Sequence, residues 1–308
     1  MDKALDQRIP LVSVVVITYN SSNTVTETLE SIKKQSYKNI ELVITDDSSK
    51  DSTYEICKGW CEKNKNFFTE VVICKTDNNL GVSNNCNNGV EHCHGEWVKI
   101  IAGDDLLEKD CIMHNIDFIN QNPNCRILFS RSVVFEDKST MVLGLRPGDS
   151  FQCANSALLE FEDLIVKDFV NPTTVFAEKN LLYEVGLYNN DYPFMEDYPM
   201  WFKILKNGTR IYYNPVVTVR YRVSSTSLST SAKRGAINLR WLSCYNRFFH
   251  DCIKPELYKR KKYITAIIKQ VDLFSKLKYS STNMRIVFYL YKLIGAVTGR
   301  LYEVIVRA

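Results

Sequence analysis

The sequence predicts an α/β protein of the Rossmann-like kind, with a mostly parallel sheet flanked by helices. Four short apolar segments alternate with three helical patterns before residue 106, and the first segment, residues 11–17, is rich in valine. Apolar runs of this length are typical of strands that are buried on both faces, as in a parallel sheet. Polar or acidic residues directly follow three of the four strands. The alternation therefore favours right-handed β-α-β crossovers around one core.

Each element has its own pattern of apolar residues. Strands are predicted at residues 11–17, 40–45, 69–74 and 97–101, with helices at 21–35, from 51 onward, and at 81–90. The alternation is less regular after residue 110, where strands are predicted at 127–135, 173–176, 211–213 and 216–221 and a helix at 196–205. Residues 233–308 have a helical character, so we predict a C-terminal helical extension.

Composition places the 308-residue chain among ordinary globular proteins, because 45% of its residues are hydrophobic and 24% are charged. This excludes disordered and collagen-like chains. The charge is uneven: residues 233–308 contain 16 Lys/Arg and 4 Asp/Glu, whereas residues 1–232 contain 23 and 31. Such a basic tail predicts a polyanionic partner, either nucleic acid or an anionic lipid surface. The first ten residues lack a signal-peptide pattern, so we expect a cytoplasmic protein with reduced cysteines.

Polar side chains stand at three strand ends, and an open α/β sheet binds its ligands at this edge. They belong to residues 18–20, to Asp46 and Asp47, and to Asp104 and Asp105. Adjacent carboxylates are hard oxygen ligands that suit Mg²⁺ or Mn²⁺. The alternative is that these acidic residues cap or begin helices. The pattern predicts one crevice lined by all three strand ends.

A further acidic pair, Glu196 and Asp197, precedes the predicted amphipathic helix that contains Trp201. One carboxylate of such a pair can act as a general base, although favourable placement at a helix N-terminus is an equal alternative. The chain has no dinucleotide-binding G-x-G-x-x-G after its first strand, no phosphate-binding P-loop and no G-x-S-x-G. These absences argue against a dinucleotide oxidoreductase, a P-loop NTPase and a serine hydrolase. The cysteine and histidine spacing also argues against structural zinc.

Five segments together carry a family resemblance. They are SVVVITYN at 13–20, ELVITDDSSKDST at 41–53, NLGVSNNCNNG at 79–89, GEWVKIIAGDD at 95–105 and MEDYPMWFKIL at 195–205. In this order and spacing they resemble the family 2 glycosyltransferases of the GT-A fold, of the type that builds bacterial surface polysaccharides. The resemblance extends over residues 11–225. It implies a nucleotide-sugar-binding half at 1–110 and an acceptor-binding half at 111–225. The basic, helical pattern of residues 226–308 predicts a separate region that associates with a membrane.

The resemblance implies an enzyme that transfers a hexosyl or N-acetylhexosaminyl group with inversion. The donor would be a nucleotide diphosphate sugar, with UDP favoured, and the acceptor a hydroxyl of a glycan or of a lipid-linked glycan. The cofactor would be Mn²⁺ or Mg²⁺. Two other functions stay open, namely an inactive or regulatory nucleotide-sugar-binding protein and a nucleotidyltransferase on a similar fold.

The resemblance also implies roles for single residues. Asp197 is the expected catalytic base with Glu196 beside it, Asp105 is the expected metal ligand, and Trp201 is expected at the acceptor. The expected nucleotide-sugar contacts are Thr18, Tyr19, Asn20, Asp47, Gly81, Asp104 and Arg222. Among them Tyr19 would stack on the base and Asp104 would hold the ribose or the sugar. The chain departs from the family pattern at Ile17, Cys86 and Ser224, where relatives often have Pro, Arg and His, and this leaves the phosphate contacts open.

The end of the chain predicts a helix that lies on a membrane. Arg285, Lys292, Arg300 and Arg307 form a basic stripe in an otherwise apolar segment, and residues 259–262 add a basic cluster. A helix of this kind fits an anionic membrane surface, which would place the protein on the inner face of the cell membrane. Packing of the helix on the rest of the chain and a homodimer are alternatives. Nucleic-acid binding by the tail is a third alternative, and we do not expect it.

Overall fold

The computed structural model describes residues 9–137, 141–223 and 239–279. The chain divides at residue 224 into two compact units. We call residues 9–223 the body and residues 239–279 the C-terminal unit. The predicted division of the body at residue 110, into a nucleotide-sugar half and an acceptor half, stays a prediction.

The body contains one nine-stranded sheet. Its strands are β1 Val12–Thr18, β2 Ile40–Asp46, β3 Glu70–Lys75, β4 Trp97–Ala102, β5 Leu106–Leu107, β6 Ile127–Glu136, β7 Val142–Arg146, β8 Phe176–Glu178 and β9 Tyr212–Val223. The strand order is β3-β2-β1-β4-β8-β6-β9-β5, and β7 pairs with β6. The first four strands are parallel, as predicted. The other half is mixed, because β8 is antiparallel to β4 and β6 while β6 and β9 are parallel.

Helices connect and cover the strands of the body. They are α1 Val25–Lys33, α2 Thr53–Asn64, α3 Val82–Glu91, α4 Cys111–Gln121, α5 Ala157–Leu164, α6 Lys179–Glu184 and α7 Asp197–Lys206. The sequence pattern predicted α1, α2, α3 and α7 to within a few residues. It did not single out α4, α5 and α6, of which α5 and α6 are short.

The alternation of side chains along β1 explains why the sheet is covered on both faces. Val14 and Val16 belong to the same buried cluster as Leu29 of α1. On the other face Val15 lies against α3 at Gly89, where the helix backbone comes close to the strand. Burial on both faces is therefore the reason that β1 is an uninterrupted apolar run rather than an alternating one.

Two predicted strands have different bounds in the structure. The segment predicted as a strand at 173–176 begins with a 3₁₀ turn at Pro172–Thr174, and β8 starts only at Phe176. The hydroxyl of Thr174 holds this turn, since its oxygen lies within hydrogen-bond distance of the carbonyl oxygens of Asn171 (2.8 Å) and Ser130 (3.0 Å), and its one proton can be donated to either. The segments predicted as strands at 211–213 and 216–221 are strand residues from Tyr212 onward, but they belong to one strand, β9, rather than two. The register with β6 jumps from Tyr213 to Val217, and this irregularity contains Pro215, which cannot donate a ladder hydrogen bond.

We expect the substitution Gly89→Ala to destabilise the body, because a Cβ at this position would lie 2.3 Å from Cγ1 of Val15. Crowding of this kind in a packed core costs about 1–3 kcal/mol of unfolding free energy. Gly59→Ala in α2 is the matched control, because a Cβ there meets no atom within 4 Å. The control should gain about 0.5–1 kcal/mol from the lower entropy of the unfolded chain. Urea unfolding measures both, and equal effects would contradict the close packing of α3 on β1.

The C-terminal unit is helical within its described residues, as predicted. Its helices are α8 Leu239–Phe248, a π-helix Phe249–Ile253, α9 Lys254–Lys259 and α10 Tyr263–Tyr279. Within the three described ranges, none of the helices combines the length and the apolar character needed to cross a bilayer. The predicted basic stripe from Arg285 to Arg307 lies outside the described residues.

Candidate active site

The loops after β1 and β2 are joined by hydrogen bonds at the carboxyl edge of the sheet. The hydroxyl of Thr18 donates to Oδ2 of Asp46 at 3.0 Å. Asn20 has a φ of 52°, a left-handed conformation that asparagine tolerates, and its side-chain oxygen accepts from the N–H of Lys50 at 2.8 Å. Tyr19 stands between these two anchored residues and is 46% exposed. Its ring is therefore held at the edge of the sheet and is open to solvent, as the prediction of a stacking contact requires.

Asp47 fixes the loop that leads into α3. Its two carboxylate oxygens accept from the backbone N–H groups of Leu80 (2.8 Å) and Gly81 (2.9 Å), and the hydroxyl of Thr76 donates to Oδ1 at 3.2 Å. Gly81 has a φ of 90°, which favours glycine. The geometry thus gives Asp47 a clear structural task, while its predicted contact with the nucleobase stays a prediction.

Asparagine side chains of α3 hold the loop before α7. The side chain of Asn84 accepts at 2.8 Å from the side-chain amide of Asn190. Asn87 makes a reciprocal pair with the backbone of Tyr188, at 2.9 and 2.8 Å. Gly81 precedes α3, and Asp47 after β2 accepts a hydrogen bond from the N–H of Gly81. Helix α3 therefore connects the end of β2 with the loop that carries Glu196. The sequence did not predict these asparagines as site residues.

Three carboxyl groups lie together at the start of α7. Burial and the neighbouring charge of Asp197 raise the pKa of Glu196 to about 7 and that of Asp168 to about 8. Burial also raises the pKa of Asp197 itself, against the opposing effect of the Tyr198 N–H, which donates to its Oδ1 at 2.8 Å. The structure therefore brings the predicted pair, Glu196 and Asp197, together with a third carboxyl that the sequence did not single out.

Two uncharged groups complete this acidic cluster. Burial and the charges of Glu196 and Asp197 raise the pKa of the Cys86 thiol, so the thiol stays protonated. Burial raises the pKa of the Tyr188 hydroxyl for the same reasons. The side chain of Cys86 therefore supplies no positive charge to offset the negative charge of the cluster.

Asp104 and Asp105 follow β4, and their side chains differ in surroundings. Asp105 is 1% exposed, and its Oδ1 accepts from the backbone N–H of Arg222 at 2.8 Å. Burial and the charge of Asp104 raise the pKa of Asp105 to about 8. Asp104 is less buried, and burial raises its pKa while Arg222 opposes the rise. The two adjacent carboxylates are therefore not equivalent, because Asp105 is part of the core and Asp104 borders it.

Arg222 ties the end of β9 to this strand end. Its Nε donates to the carbonyl oxygen of Asp104 at 2.7 Å. Its two terminal nitrogens form ion pairs with Asp137 (2.6 Å) and Glu27 (2.7 Å). The guanidinium is 5% exposed, so it positions the Asp104 backbone in this structure, and its predicted contact with the diphosphate stays a prediction. Glu27 and Asp137 were missed because they lie far apart in sequence and belong to no motif.

A buried lysine links β4 to the segment that contains Asp168. Lys99 is fully buried, and its Nζ donates to the carbonyl oxygens of Thr173 (2.5 Å) and Val175 (3.3 Å). Burial lowers its pKa to about 8, with Asp105 opposing the change. The residues from Asp168 to Val175 therefore connect the acidic cluster with β4, the strand that precedes Asp104.

Trp201 does not lie where the prediction placed it. It is 1% exposed and belongs to the buried side chains of α7. An acceptor at the surface cannot reach the face of its ring in this structure, so the prediction of an acceptor contact is wrong. The amphipathic pattern of α7 gives the physical reason, because large apolar side chains on such a helix face the core.

A cluster of donor atoms lies at the opposite, amino-terminal edge of the sheet. Among the described residues, donor atoms of Glu41, Glu70 and His94 lie within 4.8 Å of one another. Nδ1 of His94 is 2.7 Å from Glu41 and 3.3 Å from Glu70. Burial favours a raised pKa for Glu41, but hydrogen bonds from Ser13 and from the His94 and Gly95 N–H groups outweigh it and lower the pKa. These contacts describe a hydrogen-bonded cluster that joins strand starts, away from the predicted metal ligand.

Comparison with known proteins identifies sequence relatives. The sequence model of glycosyl transferase family 2 matches residues 13–181. An uncharacterized glycosyltransferase of Rickettsia felis is 26% identical over 263 residues, which are 84% of this chain and 41% of that protein. The Escherichia coli protein named UDP-Glc:alpha-D-GlcNAc-diphosphoundecaprenol beta-1,3-glucosyltransferase WfaP is 26% identical over 223 residues, 72% of this chain and 80% of that protein. The chain thus spans about two fifths of the length of the Rickettsia relative.

Solved structures share the fold. TarS 1-349 of S. aureus in complex with UDP-GlcNAc has a TM-score of 0.56 at 19% identity, over 92% of this chain and 90% of that one. The mannosyltransferase PcManGT of Pyrobaculum calidifontis, in complex with GDP-Man and Mn²⁺, has a TM-score of 0.56 at 17% identity, over 96% and 82%. The predicted GT-A fold is therefore confirmed. Since the family model matches more than half of its residues, the chain belongs to glycosyl transferase family 2.

Proposed function

We propose that the chain is an inverting glycosyltransferase that uses a nucleotide diphosphate sugar and acts in bacterial polysaccharide synthesis. The acceptor is a hydroxyl of a glycan or of a lipid-linked glycan. The cluster of Asp168, Glu196 and Asp197 is the observation that carries this proposal, because it supplies a half-buried carboxylate with a raised pKa. A general base for a hydroxyl works best when its pKa lies near the working pH.

The reaction we propose is a single displacement. A carboxylate oxygen of Asp197 accepts the proton of the acceptor hydroxyl, and the hydroxyl oxygen forms a bond to the anomeric carbon of the donor sugar. The bond from that carbon to the diphosphate oxygen breaks, and the nucleoside diphosphate leaves with the electron pair. The incoming oxygen attacks from the side opposite to the leaving group, so the configuration inverts. No nucleophile of the protein takes part.

We propose that Asp168 keeps Asp197 ionised. Asp168 is close enough for the charge of Asp197 to raise its pKa, and the N–H of Val170 donates to its Oδ1 at 3.1 Å. When carboxyl groups lie this close, the first proton goes to the group whose environment disfavours its charge most. A protonated Asp168 leaves the negative charge on Asp197, where the reaction needs it.

The residues after β4 fit a divalent cation, Mn²⁺ or Mg²⁺, because such ions prefer carboxylate oxygens. We propose that Asp104 would hold it rather than Asp105. This exchange of the two predicted roles is supported by burial, since Asp105 is 1% exposed and already accepts the Arg222 N–H. When bound, the cation would neutralise the diphosphate leaving group. Arg222 then acts by fixing the Asp104 backbone.

We propose UDP as the nucleotide and a hexosyl or N-acetylhexosaminyl group as the sugar. The name of the E. coli relative contains UDP-Glc, and TarS is similar in fold and was solved with UDP-GlcNAc. The exposed ring of Tyr19 can stack on the base, and anchored neighbours on both sides hold it in place. A diphosphoundecaprenol-linked acceptor like the one in the relative's name would place the enzyme at the cytoplasmic membrane surface.

The proposal is tested with UDP-Glc, UDP-GlcNAc and GDP-Man, each with Mn²⁺ and a lipid-diphosphate-linked GlcNAc acceptor. We expect release of the nucleoside diphosphate together with a new glycosidic bond, and NMR of the product should show the anomeric configuration inverted. A product with retained configuration would refute the single displacement. Binding of a nucleotide sugar without transfer to any acceptor would favour the alternative of a binding protein.

We expect Asp168→Asn to change the pH dependence of both stability and activity. The raised pKa of about 8 means that the folded protein retains a proton that an unfolded aspartate has lost. This contribution to stability is complete below the ordinary aspartate pKa and is lost as the pH rises through 8. The neutral Asn avoids that loss, so the variant should gain stability relative to the parent protein between pH 5 and about 8.5.

The same substitution prevents the negative charge that Asp168 gains next to the base as the pH rises through about 8. The acid limb of kcat/KM should stay in place, because Asp168 is already uncharged there, whereas the change in kcat/KM of the parent protein near pH 8 should be absent from the variant. Urea unfolding at several pH values and a pH–rate profile measure the two effects. A change near pH 8 that persists in the variant would show that Asp168 acts only in packing.

A further inference from the structure

The C-terminal unit has an unusual helix, α10, whose large apolar side chains face outward. Ile264 and Ile267 are each 57% exposed, and Val271 is 48% exposed. Their spacing of three and four residues places them on one face of the helix. Tyr263 and Phe274 are exposed at the two ends of this face. We call these five residues the α10 outer face.

The inner face of the same helix packs on its own unit. Its buried residues include Thr265, Ala266 and Leu273, and Nζ of Lys269 donates to the hydroxyl of Tyr245 on α8 at 3.1 Å. The inner face thus combines small, polar and apolar groups, whereas the α10 outer face consists of exposed apolar and aromatic groups. A contiguous apolar surface of this kind is typical of a site of contact with a partner or a membrane.

The charge of the unit indicates the chemistry of that partner. Residues 239–279 contain 10 Lys/Arg and 3 Asp/Glu. Each of the three acidic side chains already has a basic partner one helical turn away: Asp251 with Arg247, Glu256 with Arg260, and Asp272 with Lys276. The described unit therefore contains seven more basic than acidic side chains. Lys259 and Lys261 are exposed just before the first turn of α10.

We propose that the α10 outer face docks on an anionic lipid surface, with the apolar side chains entering the interface and residues 259–262 contacting the headgroups. An amphipathic helix binds such a surface through buried apolar area and through attraction of lysines to anionic lipid. A second copy of the chain fits less well, because pairing two such units would bring two surfaces of the same positive sign together. The inference rests on the proposed function in one respect, because docking would give the enzyme access to a lipid-linked acceptor.

The experiment is flotation of the full-length protein with vesicles of phosphatidylcholine, with and without phosphatidylglycerol. The test variant is Ile264→Gln/Ile267→Gln/Val271→Gln. Its matched control is Leu158→Gln/Leu159→Gln, which removes two exposed leucines from α5 of the body. We expect the test variant to bind anionic vesicles at least about tenfold more weakly than the parent protein, and the control to bind like the parent.

A second pair of measurements tests the charge. Lys259→Gln/Lys261→Asn should weaken binding to anionic vesicles and leave binding to pure phosphatidylcholine unchanged. Asparagine is chosen at 261 because the φ of this residue is 57°. Circular dichroism checks that every variant keeps its helices. Sugar transfer to a soluble acceptor should be the same in all variants, so failure of the docking proposal is distinguishable from failure of the proposed enzyme.

Three results would overturn the inference. One is equal vesicle binding by the test variant and its control. Another is parent protein that binds neither kind of vesicle. The third is a parent protein that sediments as a dimer while the test variant sediments as a monomer, since a second copy would then cover the α10 outer face.

Discussion

Asp197→Asn should reduce sugar transfer by about 10² to 10⁴-fold, the range that a positioned general base contributes. The amide keeps the size of the side chain and an oxygen that accepts the Tyr198 N–H, which bonds Asp197 at 2.8 Å in the parent protein. It removes only the ability to take the acceptor proton. The expected loss therefore lies in kcat, while the affinity for UDP should change less than about threefold, since no contact of Asp197 with the nucleotide is proposed.

Glu196→Gln separates the base from its neighbour. Burial and Asp197 raise the pKa of Glu196 to about 7, so this residue carries part of the charge of the cluster at neutral pH. Its replacement should change kcat far less than Asp197→Asn and should leave the acid limb of the pH–rate profile nearly in place, because Glu196 is mostly protonated below pH 7. Transfer rates, UDP titrations and thermal unfolding of both variants provide the measurement. If Asp197→Asn lowers UDP affinity and folding stability as much as it lowers kcat, its role is structural.

The parallel half of the fold could be predicted from local pattern because its strands are buried on both faces and its connections are short. For this reason the sequence has an uninterrupted apolar run at Val14, Val15 and Val16. The mixed half of the sheet could not be predicted in this way, because its strands pair with segments that are distant in the sequence. The register jump of β9 around Pro215 is one example, and the 3₁₀ turn held by Thr174 is another.

The candidate site was predictable where a strand end or helix start carried a local signal, as at Asp104 and Asp197. Asp168 had no such signal, because its role depends on the charge of a residue 29 positions away in the chain. The predicted role of Trp201 was wrong for a different reason. Its helix was predicted correctly, but the sequence did not reveal that the tryptophan faces the core rather than the site. Adjacent residues such as Asp104 and Asp105 are the hardest case, since only the path of the backbone after β4 decides which side chain enters the core.

The adjacent pair after β4 gives the second large effect. We expect Asp104→Asn to weaken Mn²⁺-dependent UDP binding by at least about a hundredfold, the upper range seen for the loss of groups that merely support a ligand. Asp105→Asn should retain most of this binding, because the amide oxygen can still accept the Arg222 N–H that Asp105 accepts at 2.8 Å. Titration of UDP with and without Mn²⁺ gives the metal-dependent part for each variant.

Asp105→Ala is the variant that distinguishes a structural carboxylate from a metal ligand. It removes the acceptor and leaves the N–H of Arg222 buried without its partner, which costs about 1–3 kcal/mol of unfolding free energy. Asp104→Ala should cost little stability, because the carbonyl oxygen of Asp104, and not its side chain, accepts the Nε of Arg222. The opposite pattern, in which Asp105→Asn abolishes Mn²⁺-dependent binding and Asp104→Asn preserves it, would restore Asp105 as the ligand and leave Asp104 to the ribose.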